Sequence, residues 1–253
     1  MIKRDNRSIY SPGGGFTLIE LALIIVIIGI VATVAMRSMQ PAVDQSRIDA
    51  TMEEMETLAR AIVGNKDLVS EGIRSDFGYI GDVGALPPNL DALVTNPGGY
   101  GTWDGPYVLN DFVENPDDFK RDAWGNEYAY SGGVVITSSG NGSPLTKQFA
   151  GGVDDLIANT VRGNVYDGLG APPADSASSV YIIIYYPDGI GGLGSSSVNP
   201  SASGQFSFSN MIPAGNHLIR AVHASDSDTT SEYITVLPGS DVLCELRFSK
   251  SYW

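Results

Sequence analysis

From Phe16 to Met36 nearly every position is apolar, and Glu20 is the one charge; the sixteen residues after it carry none. A helix over these 21 residues would be roughly 31 Å long at about 1.5 Å per residue, close to the thickness of a bilayer's hydrocarbon core. The pattern therefore predicts a transmembrane helix over 16–36. A carboxylate beside the membrane core is costly, so Glu20 calls for a partner. Beyond Arg37, Ile48, Met52, Met55, Ala59 and Ile62 recur at three- and four-residue spacing among polar residues, which extends the helix as an amphipathic segment. Gly64-Asn65 supplies a stop, giving one helix over 16–65. Gly29 and Pro41 can each loosen a helix, and a bend or melted turn is expected near one of them.

Downstream the periodicity changes. Residues 66–158 hold short apolar pieces broken by Pro and Gly, and only "WGNEYAYSGGVVITS" reads as paired strands, with turns at Gly125-Asn126 and Gly132-Gly133. A small antiparallel sheet is expected there. Residues 160–248 alternate with period two between turns, most clearly over 205–208, 217–222 and 242–248. About seven short strands in this stretch predict a self-contained β-sandwich. The fold class is thus α+β: a long N-terminal helix with a small antiparallel sheet, then a sandwich.

Charge adds orientation and exclusions. Three basic residues, Lys3, Arg4 and Arg7, precede the apolar run, and acidic residues dominate after it, which places the N-terminus in the cytoplasm. The net charge of −14 becomes −16 without Met1–Gly15, so nucleic acid is excluded as a partner by repulsion. Cys244 is the only cysteine and cannot close an intrachain disulfide; it reads as a small buried residue on a strand. "GGLGSSS" lacks the lysine of a phosphate loop. His217 and His223 share a strand but would stand about 20 Å apart at 3.3 Å per residue. No Gly-x-Ser-x-Gly nucleophile elbow is present, and the chain does not read as an enzyme.

"GGGFTLIEL" (13–21) resembles the class III leader of type IV pilins and pseudopilins, a short basic peptide ending in glycine before Phe-Thr-Leu-Ile-Glu. The resemblance implies a pilin fold and a leader of residues 1–15. It further implies a prepilin peptidase that cuts between Gly15 and Phe16, and N-methylation of the new Phe16 amine. Glu20 would then meet the N-terminal amine of a neighbouring subunit during assembly. It also implies an inner-membrane assembly platform as partner. In the globular part, "LPPNLDALV", "WDGPYV" and "DAWGNEYAY" are similar to segments of the major pseudopilin of type II secretion systems, and the likeness spans roughly 13–158.

That family continues with a calcium-binding loop. Here "SSGNGSPLTKQFAGGVDDL" matches its glycines and Asp154-Asp155, with Asn141 at the first aspartate position and a longer intervening loop. Calcium takes about 6–8 oxygens, so Asn141, Asp154 and Asp155 are its candidate ligands, and an acidic turn without metal is the alternative. The strands of 160–248 resemble carboxypeptidase regulatory-like, transthyretin-like domains, modules that bind rather than catalyse. Two functions follow. One is a filament subunit, membrane-inserted first and then packed with copies of itself into a helical periplasmic or cell-surface filament. The other is a single-pass anchored extracytoplasmic binding protein whose sandwich works alone, for example on carbohydrate.

Overall fold

The computed structural model describes residues 15–109 and 115–253. Helix α1 (Leu18–Val63) runs unbroken, with Pro41 inside it. The expected melted turn is therefore absent at both Gly29 and Pro41. Pro41 removes one backbone donor, and the turns on either side still close through their own bonds. This is the one described helix long and apolar enough to cross a membrane. The chain divides into two compact units, residues 1–47 and 48–253.

In the second unit, α1 buries Thr51, Met55, Leu58, Ala59, Ala61 and Ile62. Met52, assigned to this face by periodicity, is instead 37% exposed, and Thr51 takes the position one residue earlier. Its hydroxyl oxygen accepts a hydrogen bond from the Ala123 N–H at 3.2 Å. The helix ends as the sequence indicates: Gly64 is left-handed (φ 81°), and its N–H bonds the Arg60 carbonyl at 2.7 Å. A two-residue hairpin follows, β1 (Val69–Ser70) and β2 (Ile73–Arg74), then the short helix α2 (Gly78–Val83).

The main hairpin of this region pairs β3 (Val135–Ser138) with β4 (Leu145–Gln148). It closes across 139–144, the stretch assigned from sequence to a metal loop. Of the pairing expected inside 124–138, the single bridge Ala129 to Thr137 forms, and a second bridge joins Glu127 to Arg121 just before the stretch. Helix α3 (Val153–Ile157) closes the region. Met55, Ile62, Tyr79, Ile80, Leu93, Ile136 and Leu156 make one buried core, which α1 caps along its inner face.

Seven strands complete the chain: β5 (Asn159–Tyr166), β6 (Val180–Pro187), β7 (Leu193–Val198), β8 (Gln205–Ile212), β9 (Gly215–His223), β10 (Asp228–Val236) and β11 (Asp241–Arg247). They form two sheets ordered β10-β9-β6-β7 and β11-β5-β8. All pairings are antiparallel except β11 with β5. Val161, Val165, Ile182, Ile184, Phe208, Ile219 and Leu246 alternate inward from both sheets into a second core, which makes the pair a β-sandwich.

The two cores meet at a bonded junction. Main-chain hydrogen bonds run from Gly189 N to Val83 O (2.8 Å), from Gly101 N to Gly191 O (2.9 Å), from Ala214 N to Leu156 O (2.8 Å) and from Gly239 N to Asp155 O (2.7 Å). Ala214 belongs to the first core although it precedes a sandwich strand. Gly84 sits against the Pro187 carbonyl so closely that a Cβ there would collide with it.

Candidate functional site

The leader assigned to residues 1–15 lies outside the described residues except for Gly15. Gly15 and Phe16 are exposed, Phe16 at 78%, and both precede the first turn of α1. Thr17 begins that turn as its cap. Its hydroxyl oxygen accepts from the Glu20 N–H at 3.3 Å, while Glu20 Oε2 accepts from the Thr17 N–H at 2.9 Å and from the Thr17 hydroxyl at 2.9 Å. This is a reciprocal capping box of the form Thr-x-x-Glu, in which two orphan donors of the helix end are satisfied by side chains three positions apart. The carboxylate therefore has partners within its own chain, and it is fixed beside Phe16. Thr17 went unnoticed in the sequence reading although Thr-x-x-Glu before an apolar run is itself a helix-start signal.

Behind the cap, α1 presents apolar side chains on every side, from Leu18 and Ile19 through Ile30 and Met36. A soluble helix hides one stripe; residues 18–36 of this one bury none, and require lipid or other helices around them. Gly29, Ala32 and Ala35 lower its profile along one stretch. No heavy atom lies within 4 Å of where a Gly29 Cβ would be.

The acidic-loop residues come from two elements of the fold, the β3–β4 turn and the first turn of α3. Asn141 is exposed at the tip of the β3–β4 hairpin, between Gly140 (φ 55°) and Gly142 (φ 81°). Asp154 and Asp155 follow the opposite end of β4, which its four residues place roughly 10 Å from the tip end at about 3.4 Å per step. The Asp155 carbonyl accepts the Gly239 N–H across the junction. Among the described residues no group of three or more His, Cys, Asp or Glu side chains converges as a metal site.

The carboxylate that organises this region is Asp122, which the sequence reading did not single out. Its Oδ1 accepts from the N–H groups of Trp124 (3.0 Å) and Asn126 (2.8 Å), and its Oδ2 from the Ser138 hydroxyl (2.6 Å) and the Asn126 amide (3.1 Å). Burial pushes the Asp122 carboxyl up, but the hydrogen bonds from Ser138, Asn126 and Trp124 outweigh it and hold it below the usual carboxylate range. It ties the 122–126 turn to β3 and acts as a structural clasp. Cys244 is half-buried, and burial pushes its thiol up to about 12, so it stays protonated and unreactive.

No family model matches the chain. Type II secretion system core protein G of Xanthomonas campestris pv. campestris is 33% identical to it over 132 residues, which is 51% of this chain and 78% of that protein.

Proposed function

The chain belongs to the family of type II secretion system core protein G, and we propose that it is a structural, non-catalytic pseudopilus subunit that assembles through its N-terminal helix. The observation that carries this reading is the apolar stretch of α1, exposed on every side and opened by a capping box that sets a carboxylate next to Phe16. Removal of the leader between Gly15 and Phe16 by a prepilin peptidase would leave the Phe16 amine one residue from that box. In the membrane the helix anchors the chain; on the periplasmic side it packs with helices of other copies, and the globular unit coats the filament. An assembly platform in the inner membrane supplies the subunits.

The capping box gives Glu20 a second role, and two substitutions separate it from pairing with a neighbour's amine. Glu20→Gln keeps an oxygen able to accept the Thr17 N–H, because capping boxes use Glu or Gln. It removes the charge. If the charge pairs between subunits, Glu20→Gln and Glu20→Ala both lose sheared filaments while membrane insertion and leader removal persist. Normal filament yield from Glu20→Gln would reduce Glu20 to a helix cap. Mass spectrometry of the mature N-terminus is the companion measurement: a chain beginning at methylated Phe16 is expected, and an intact leader would sink the filament reading.

A further inference from the structure

The β3–β4 hairpin turns through Asn141-Gly142, the one place in the chain where glycine follows asparagine. Asn141 is exposed at the tip, and neither its side-chain amide nor the Gly142 N–H makes a hydrogen bond with any described residue. Gly142 is left-handed (φ 81°), and no heavy atom lies within 4 Å of where its Cβ would be. The Gly142 main-chain nitrogen is therefore free to approach the Asn141 side-chain carbonyl carbon, with no Cβ of its own in the way. Gly140, just before, is held tightly. Its N–H donates to the Ser138 hydroxyl at 2.9 Å, and its carbonyl accepts from the Asn126 amide at 3.3 Å. Both of those side chains also donate to Asp122 Oδ2, at 2.6 and 3.1 Å. A Cβ on Gly140 would collide with the Ser143 carbonyl, so the turn has no slack at that end.

We propose that Asn141-Gly142 is a self-modifying site, at which Asn141 loses ammonia and the isoaspartate product weakens the Asp122 clasp. The Gly142 nitrogen gives its proton to solvent hydroxide and bonds to Asn141 Cγ. The Cγ–Nδ2 bond breaks, and the amide nitrogen leaves as ammonia with a proton from water, so that a cyclic imide joins the two residues. Water then opens the ring. Cleavage of the new Cγ–N bond gives aspartate, whereas cleavage of the original peptide bond gives isoaspartate, whose main chain runs through Cβ and is one carbon longer. Water is consumed and ammonia released, with no oxidant, reductant or catalytic side chain required. Either product adds a negative charge to a chain whose net charge is −14. The extra carbon falls between Gly140 and Gly142, where the turn has no slack, so the isoaspartate form draws Gly140 away from Ser138 and Asn126.

The site uses nothing of the N-terminal chemistry, so it stands or falls apart from the filament reading. The test incubates the full chain in detergent in mildly alkaline heavy-oxygen water, beside a urea-unfolded sample, and reads the tryptic peptide 122–147 by mass spectrometry with fragmentation. Heavy oxygen is expected at position 141 of the folded chain, at a rate within about threefold of the unfolded one. Asn141→Gln, whose longer side chain closes the ring far more slowly, is expected to cut the uptake roughly tenfold or more. After incubation the parent is expected to melt at a lower temperature than before, while Asn141→Gln keeps its midpoint. An Asn141 that stays intact in the folded chain while the unfolded chain converts overturns the proposal. So does a sugar on Asn141, since Asn141-Gly142-Ser143 also fits an N-glycosylation acceptor and a substituted amide is blocked. Unchanged melting of an aged parent that contains isoaspartate overturns it too, by separating the modification from the clasp.

Discussion

His217 is 2% exposed on β9, with Nε2 at 2.7 Å from the Pro213 carbonyl and no partner for Nδ1. The carbonyl can only accept, so the neutral ring donates from Nε2 and a second proton at Nδ1 would have nothing to bond. Burial pushes its pKa below the ordinary 6.5. The unfolded chain therefore takes up this proton first as pH falls, so the stabilisation is complete above about pH 6.5 and is lost progressively below it. Thermal unfolding followed by circular dichroism should show a larger drop in midpoint from pH 7.5 to 5.5 for the parent than for His217→Gln, whose amide can still donate to Pro213. Equal slopes would remove His217 from the pH response. At this scale legibility was uneven: Phe16 and Glu20 stood out by their neighbours, but the isolation of His217 depends on which strands surround it, and no local pattern encodes that.

Among elements, α1 is the one most plainly written in the sequence, and its two glycines behave in opposite ways. Gly64 is left-handed, and a Cβ there would collide with the Asp76 carbonyl and Phe77 Cα. Gly64→Ala is expected to destabilise the globular unit by about 2 kcal/mol or more, from left-handed strain and this collision together, as a lowered denaturant midpoint. Gly29→Ala meets nothing in the single chain and gains helix propensity. Its expected cost appears only in filament yield, where close helix approach favours small residues; unchanged yield would show that Gly29 is not at a helix contact. Gly64 was readable because stop residues follow an interrupted period. The β3–β4 hairpin was not, since its turn, "SGNGSP", is flanked by strands with little apolar alternation, and resemblance to a metal loop claimed those residues first. The strands of 160–248 alternate cleanly and were found.

For the whole molecule, the junction decides behaviour. Two separate cores would ordinarily melt separately, yet main-chain bonds and close glycine contacts at Gly84, Gly101, Gly189 and Gly191 join them. Residues 48–253 should therefore unfold in one calorimetric transition. Gly84→Val, which drives a branched side chain into the Pro187 carbonyl, should split it into two. Two transitions in the parent would make the sandwich an independent module after all. Sequence reading anticipated the module and missed the junction, because glycines that permit contact look the same as glycines that make turns.

The parallel pairing of β5 with β11 has a consequence in time. The opening strand of the sandwich lies between β11 and β8, and its β11 side is filled only by the last strand of the chain, with Asp241 opposite Thr160 and Arg247 opposite Tyr166. At roughly 5–20 residues per second, synthesis of the intervening stretch leaves β5 waiting about 4–16 s with that side bare. Closure of the sandwich is thus postponed until residues 241–247 are delivered. A nascent or damaged chain that stops before Asp241 exposes an unpaired, valine-bearing edge, open to chaperones, proteases and neighbouring chains. Only copies synthesised through Arg247 hide it, so the order of the strands ties the folding of β5 to the synthesis of β11.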